Sequence, residues 1–598
     1  VSNNLEGILS QLNPKQQEAV TFGNGPLLIL AGPGSGKTRT LIYRTAYLIL
    51  IKEIPTSNIL LLTFTNKAAG EMKQRLAKIL PNSSPTPFAG TFHSFCAQVL
   101  RIYGKHLDLP NNYSIYDRHD QIDTIKSVLE ELDISIKQFK PGSVLATISQ
   151  AKNELIGPLE YPQYARGHWQ ETVARIYLKY QQFLKEYQAL DFDDLMIEAI
   201  RLFKKAPEVL TKYQNQYQWV LIDEYQDTNK AQYLLTKLLT KKWRNLNAVG
   251  DASQAIYGWR GADYRNLMAL KDDFSDLKVI NLEQNYRSTQ TILEAANNVI
   301  KQNTSHPILN LWTEQKSGDK ISFYGADNEQ QEAEFVTEMV KTYYFNQPTE
   351  MAILYRTNAQ SRLLEESLLE NGIPYALVGG VRFYERKEIK DCLAYLRLIA
   401  NPKDKISYQR AEKLGKRKLE KFKEFVKKKK KERTTLKWLD QILKVTTYLD
   451  RFDEHDPQEL SRIENVKELR SVASEFPKLD DFLENVALIQ QEYDPKEKKL
   501  NQSQKRITLM TAHAAKGTEF DVVFMIGMEE GLFPHSRSLL EKSELEEERR
   551  LCYVAMTRAR TKLYISFAQR RFFFGEASNN QSSRFLKDIP EELIDVLK

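Results

Sequence analysis

The chain has 598 residues, 42% hydrophobic and 27% charged, which excludes a disordered polymer and describes ordinary globular domains, roughly four on length alone. No run of about 18 apolar residues occurs, the first residues lack the form of a secretory signal, and Cys96, Cys392 and Cys552 lie far apart without CxxC spacing. A cytoplasmic protein with no membrane partner, disulfide framework or thiolate metal site is therefore expected. The net charge of +7 is unevenly spread, with twelve Lys or Arg against four Glu in residues 411–435, a run that reads either as a solvated helix face or as a phosphate-contacting surface.

Leu12-Asn13-Pro14-Lys15-Gln16 opens a helix, with Asn13 as N-cap and Pro14 at the first helical position. The Gln16 amide matches the donor/acceptor edge of adenine, although a surface role is the ordinary reading of any single glutamine. Leu27-Leu28-Ile29-Leu30 is a buried strand that delivers Ala31-Gly32-Pro33-Gly34-Ser35-Gly36-Lys37-Thr38, a glycine-rich turn into a helix. Backbone N–H groups of Gly34, Ser35 and Gly36 converge on phosphate oxygens in such a turn, Lys37 reaches the β/γ-phosphates, and the Thr38 hydroxyl ligates Mg²⁺. Ala31 stands where the strict pattern has Gly, outside the tight wrap at 34–36.

Ile59 to Phe64 is a second buried parallel strand, followed by Thr65, Asn66 and Lys67 at a helix start. Ligands of open parallel sheets sit at strand C-terminal ends, so Thr65 and Asn66 stand where a backbone phosphate docks and Phe64 where a base stacks. Thr91 and His93 in Gly90-Thr91-Phe92-His93-Ser94 repeat the device, while a lone histidine there is more often structural. Residues 111–187 then read as an inserted helical subdomain.

Trp219 to Ile222 returns to the sheet and delivers two adjacent carboxylates, Asp223 to hold Mg²⁺ through its water shell and Glu224 to polarise the attacking water. Asn247 to Gly250 ends another strand, after which Gln254 is placed to sense the γ-phosphate and Tyr257, Trp259 and Arg260 to form a stacking platform. Tyr286-Arg287 suits an adenine stack with a phosphate clamp and opens the second half of the chain. Met351 to Tyr355 is a strand leading to Asn358, with Arg362 on the helix after it. Strand signals vanish from residue 385 to about 503, then resume around 507–511, His513 and Glu519. The helix of residues 546–559 offers Arg558 in its last turn, either a surface residue or an arginine for the γ-phosphate.

Together these segments resemble the UvrD/PcrA/Rep-type superfamily 1 DNA helicases, in family order and over nearly the whole chain; Asp223-Glu224-Tyr225-Gln226-Asp227-Thr228-Asn229 and Gln254 to Ala262 are the most specific. The resemblance implies an α/β fold of two RecA-like P-loop NTPase domains, parallel sheets flanked by helices, each with a helical insertion: 1–108 with 189–280, and 281–384 with 504–598, interrupted by 109–188 and 385–503. It implies ATP with adenine near Gln16 and Arg39 and stacked on Tyr286. Lys37, Thr38, Asp223, Glu224, Gln254, Arg287, Glu519 and Arg558 would surround the ribose, phosphates and Mg²⁺, with Arg287 and Arg558 arriving from the second domain. Single-stranded DNA would cross Phe64, Thr65, Asn66, Thr91, His93, Phe192, Tyr257, Trp259, Arg260, Asn358, Arg362 and His513.

The expected activity is ATP-dependent 3′–5′ unwinding at single-strand/duplex junctions, in repair or replication restart with proteins of those pathways as partners, by a monomer or a DNA-induced dimer. A translocase that displaces bound proteins but unwinds weakly, and a DNA-binding scaffold without turnover, are the alternatives. The sequence departs from the family pattern in a short second insertion, in Lys413-Leu414-Gly415 where Gly-Ile-Gly is usual, and in Thr518 where Leu is usual.

Overall fold

Apolar runs that are buried on both sides can only be the central strands of a covered parallel sheet, and alternate residues of three such runs enter two different cores. Leu28, Leu60, Leu62, Val220 and Ile222 lie in one core, while Leu27, Ile29, Ile59, Leu61, Trp219 and Leu221 lie in the other. Each fully buried aliphatic side chain contributes about 1.5–3 kcal/mol, so both faces of these strands anchor the sheet.

The structure, a computed structural model, describes residues 7, 9–81, 85–346, 349–428, 434–454, 456–491, 507–573 and 576–597. It divides into two units: residues 1–287 with 304–314, and residues 288–303 with 315–598. In the first, β1 (Leu27–Ala31), β2 (Ile59–Thr63), β3 (Phe88–Thr91), β6 (Trp219–Ile222), β7 (Leu246–Gly250) and β8 (Lys278–Leu282) form a parallel sheet in the order β3-β2-β6-β7-β1-β8. Two short strands, β4 (Ser114–Tyr116) and β5 (Ala189–Asp191), bracket a helical insertion with its own core around Ile125, Val128, Ile148, Ile176 and Tyr180.

In the second unit β9 (Ile321–Asn328), β10 (Met351–Tyr355), β11 (Tyr375–Leu377), β12 (Ile507–Thr511), β13 (Phe520–Met525), β14 (Ala559–Phe573) and β16 (Ile594–Leu597) run in the order β11-β12-β10-β13-β14-β9-β16. β15 (Glu576–Asn579) lies antiparallel against β14. A second helical insertion packs its own core around Leu393, Leu396, Leu439, Val466 and Phe482. Both units are thus parallel sheets covered by helices, the arrangement of RecA-like domains.

By contacts, the first unit runs on past β8 to Arg287. β8 pairs in parallel with β1, and the chain stays with the first unit through Arg287 because Tyr286 N–H donates to Gly34 O (2.9 Å). Among the described residues no helix is long and apolar enough to cross a membrane. The end of the basic run, 429–433, lies outside the described residues.

Candidate functional site

Asn13 caps the helix Pro14–Thr21 as its sequence predicts: its side chain accepts from Gln16 N–H (2.7 Å), and Gln16 Oε1 accepts from Asn13 N–H (3.1 Å). Gln16 Nε2 also donates to Ser35 O (2.9 Å), so this buried amide braces the helix against the glycine-rich loop. Asn13 has a further task that its capping pattern did not announce. Its Nδ2 donates to the Tyr286 hydroxyl (2.7 Å) and to Gln284 Oε1 (3.0 Å), holding the half-exposed Tyr286 ring beside the loop. Arg39 donates to Gln11 O (3.0 Å) at the exposed rim of the same helix.

The loop between β1 and the helix Lys37–Leu50 ends in Gly36, which offers no side-chain cap, so the first-turn N–H groups face the loop as an anion site. Gly34 sits at φ +68°, and a Cβ there would lie 2.6 Å from Asn285 Nδ2 and 2.8 Å from Arg287 Cβ; only glycine lets the segment after β8 close on the loop. Asn285 Nδ2 donates to Pro33 O (2.6 Å) and Asn285 Oδ1 accepts from Arg287 N–H (2.9 Å), which sets Arg287 against Gly34. Arg287 thus lies against the loop, at the end of the segment that groups with the first unit. Ser35 is fully buried, its hydroxyl donating to Gly32 O (2.7 Å), so its backbone and not its side chain is left for a ligand.

Asp223 and Glu224 come directly after β6. Thr38 Oγ1 donates to Asp223 Oδ2 (2.8 Å). Burial, then the neighbouring Glu224, push the Asp223 carboxyl up to about 6, against the opposing pull of the Thr38 hydrogen bond and of Lys37. Lys37 also opposes the upward shift that burial imposes on Asp251, so one ammonium serves two buried carboxyls at neighbouring strand ends. Glu224 takes a left-handed backbone, φ +53°, uncommon for a residue with a side chain. Gln254 Nε2 donates to Asp251 Oδ2 (2.6 Å) in the turn after β7. Between these two turns lies Gln226, fully buried, to which the sequence pattern assigned no task.

Aromatic residues stand at ends of the same sheet and after β5 of the small β4–β5 pair. Phe64, after β2, stacks on Tyr257 with ring centroids 5.4 Å apart. His93, after β3, meets Phe192, after β5, edge to face at 6.0 Å, and burial depresses the His93 pKa. The Arg260 guanidinium lies 4.5 Å from the centroid of Trp259, and Trp259 and Phe192 stay about half exposed. Thr65 and Thr91 cap the helices Asn66–Ile79 and Phe92–Tyr103, aiming the helix N-termini, and Asn66 with its neighbours, along this row.

In the second unit Asn358 and His513 come after the paired strands β10 and β12, and Asn358 Nδ2 donates to Ser461 Oγ (3.3 Å). Arg362 does not join them as a DNA contact. Its buried guanidinium donates to Glu468 (2.8 Å), Glu366 (2.9 Å) and Glu475 (3.3 Å), fastening the insertion helix Pro457–Glu475 to the sheet domain. Burial lifts the Glu468 carboxyl to about 7. Glu468 and Glu475 lie about a hundred residues away in the chain, so local sequence could not reveal the neutralisation. Glu519 accepts from Arg560 (2.9 Å), and the Arg558 guanidinium, also buried, donates to Val554 O (2.8 Å), Thr518 O (3.1 Å) and Thr557 Oγ1 (3.0 Å).

Residues 12–275 match the UvrD/REP helicase N-terminal domain, and residues 280–570 match the UvrD-like helicase C-terminal domain. The ATP-dependent DNA helicase PcrA of Bacillus subtilis (strain 168) is 44% identical, the alignment covering 100% of this chain and 88% of that protein. The ATP-dependent DNA helicases PcrA of Staphylococcus epidermidis and Staphylococcus aureus are 43% and 42% identical over 99% of the chain and 88% of their own lengths. The Bacillus alignment runs over 651 positions, more than the 598 residues of this chain, so that relative carries internal segments with no counterpart here.

Proposed function

The chain belongs to the UvrD/Rep family of helicases and is an ATP-dependent DNA helicase; on that premise we propose that it moves 3′–5′ along one strand, using the residues described above. The observation that carries the site assignment lies within the first unit. The phosphate loop, the Asp223–Glu224 pair and the Phe64, Tyr257 and Trp259 rings all sit at C-terminal ends of one parallel sheet, where ligands of such sheets bind. In this reading nucleotide and nucleic acid occupy neighbouring strand ends.

In this reading the first-turn N–H groups of the helix Lys37–Leu50, Lys37 and Arg287 bind the triphosphate, and Tyr286 stacks on the base. A hydroxyl and a carboxylate already in hydrogen-bond contact, Thr38 and Asp223, are hard oxygen donors that fit Mg²⁺. The metal there would neutralise charge on the transferring phosphoryl group. Glu224 holds the attacking water and takes its proton, Gln254 senses the γ-phosphate, and Arg558 adds positive charge to it in the hydrolysing state. Phe64, His93, Phe192, Tyr257 and Trp259 hold bases by stacking. The 3′–5′ direction and a place in repair or replication restart are supported by the family resemblance.

A duplex with a single-stranded 3′ tail, the full chain and ATP test this reading. Strand separation on the 3′-tailed and not the 5′-tailed duplex is expected. Hydrolysis without separation on either would leave a translocase, and separation only from the 5′ tail would reverse the polarity.

The helix Lys416–Lys428, where exposed Glu420 and Glu424 stand among the cations, reads either as a solvated face or as a phosphate-contacting one. It buries Leu419 and Phe422 and leaves Lys416, Arg417, Lys421 and Lys427 on its more open side. If this face meets the duplex backbone, replacing those four by Gln flattens the salt dependence of duplex binding by about 0.9 in log–log slope for each phosphate released. An unchanged slope would make it a solvated face.

A further inference from the structure

We infer that Gln226 is a positioning residue that ties Glu224 to the turn carrying Gln254 and the base-stacking rings, and so makes hydrolysis respond to DNA. The inference rests on the reading of Glu224 as the group that holds the attacking water.

The geometry is a bridge made by one amide. Gln226 Nε2 donates to Glu224 Oε2, and Gln226 Oε1 accepts from Asp251 N–H (3.0 Å). Both ends of the side chain are thus committed, one to the carboxylate after β6 and one to the backbone after the adjacent strand β7. The amide is fully buried, where an unmade hydrogen bond is costly, so the bridge is held rather than optional.

Gly250 makes room for it. A Cβ at 250 would lie 2.7 Å from Gln226 Oε1 and 2.6 Å from Leu267 Cδ1, closer than any side chain tolerates. The last residue of β7 is thereby bare where the amide crosses.

From Asp251 the connection continues through a tightly bonded turn. The Asp251 carboxylate accepts from Ser253 N–H (2.9 Å) and from Gln254 Nε2 (2.6 Å), and Gln254 N–H donates to Asp251 O (2.9 Å). Three residues after Gln254 comes Tyr257, which stacks on Phe64, and then Trp259 beneath Arg260. A base entering this platform shifts a turn whose first N–H is bonded to Gln226. The left-handed backbone of Glu224 leaves that residue little freedom except in its side chain, which Gln226 orients. DNA occupancy and the direction of the Glu224 carboxylate are in this way set by one hydrogen-bonded unit.

Two variants separate the roles. Gln226→Met keeps the volume and loses both hydrogen bonds; Gln226→Glu keeps the size and the acceptor for Asp251 N–H but replaces the neutral amide donor to Glu224 by a carboxyl that repels it or shares its proton. Each is measured in the full chain for ATP turnover with and without saturating single-stranded DNA, for dissociation constants of a fluorescent ATP analogue and of a labelled oligonucleotide, and for Tm. The expected result is a DNA-stimulated kcat lowered by about tenfold or more and a collapsed ratio of stimulated to unstimulated rate, with both dissociation constants within about twofold. In a Glu224→Gln background the same changes at 226 should cost nothing more, since the group being oriented is gone.

A stimulation ratio within about twofold of the unmodified protein in both variants overturns the inference, as does a parallel fall of ATP affinity, DNA affinity and Tm, which would make Gln226 a packing residue. Undiminished turnover in Glu224→Gln alone would instead remove the parent reading, which the double variants keep distinguishable.

Discussion

Replacing Glu224 by Gln lowers DNA-stimulated ATP turnover by about 10²–10⁴-fold, the range of a lost general base, while ATP binding survives. The substitution is isosteric, and the left-handed turn at 224 is unchanged by it, so the fold has no reason to move. The charge is what disappears. Glu224 is the second cause, after burial, of the raised Asp223 carboxyl, so its removal lets Asp223 ionise more readily and leaves the Thr38–Asp223 oxygens at least as fit for a cation. Turnover and affinity should therefore part company, read by steady-state hydrolysis beside equilibrium binding of a fluorescent ATP analogue. Loss of binding in step with turnover would mean that Glu224 serves the fold.

Replacing Arg558 by Ala is expected to cost about 10³-fold or more in turnover, the range for a transition-state arginine, with ATP affinity reduced far less. The structural side of the change is measured separately. Val554 O, Thr518 O and Thr557 Oγ1 lose a buried donor, at about 1–3 kcal/mol for each group left unsatisfied. A thermal melt measures that cost. Arg558→Lys restores charge without the planar fork and should recover only part of the rate. Unchanged turnover in Arg558→Ala would place this arginine with Arg362, as a residue that holds its own unit together.

Those two arginines show where sequence is informative and where it stops. The strands Leu27–Ala31, Ile59–Thr63 and Trp219–Ile222 were legible because a both-faces-buried strand leaves a continuous apolar run, and the polar residues just beyond each run mark the strand end that faces a ligand. The phosphate loop and the Asp223–Glu224 pair carry their chemistry in adjacent residues, so spacing alone identifies them. Arg362 reads as an exposed cation at the start of a helix, and only tertiary packing brings Glu468 and Glu475 to it. Gln226 was hidden for the same reason, since its partner Asp251 lies 25 residues on.

The first unit's extent was masked by local pattern as well. β8 alternates exposed and buried positions, as an edge strand does, and gives no sign that the chain beyond it stays with β1. Residues 285–287 are held in place by Asn285 on Pro33 and Tyr286 on Gly34, bonds across 252 residues in each case. Trp312 O, which accepts from Asn285 N–H (2.7 Å), belongs to a segment that returns to the first unit after a helix of the second.

The rate of ATP hydrolysis by the full chain with and without single-stranded DNA, taken beside Glu224→Gln, tests the role of the strand-end site most directly. The prediction is a rate raised about tenfold or more by DNA, equivalent to about 1.4 kcal/mol off the barrier, and lowered about 10²–10⁴-fold at both levels by the substitution. Hydrolysis indifferent to DNA, or undiminished in Glu224→Gln, would contradict it.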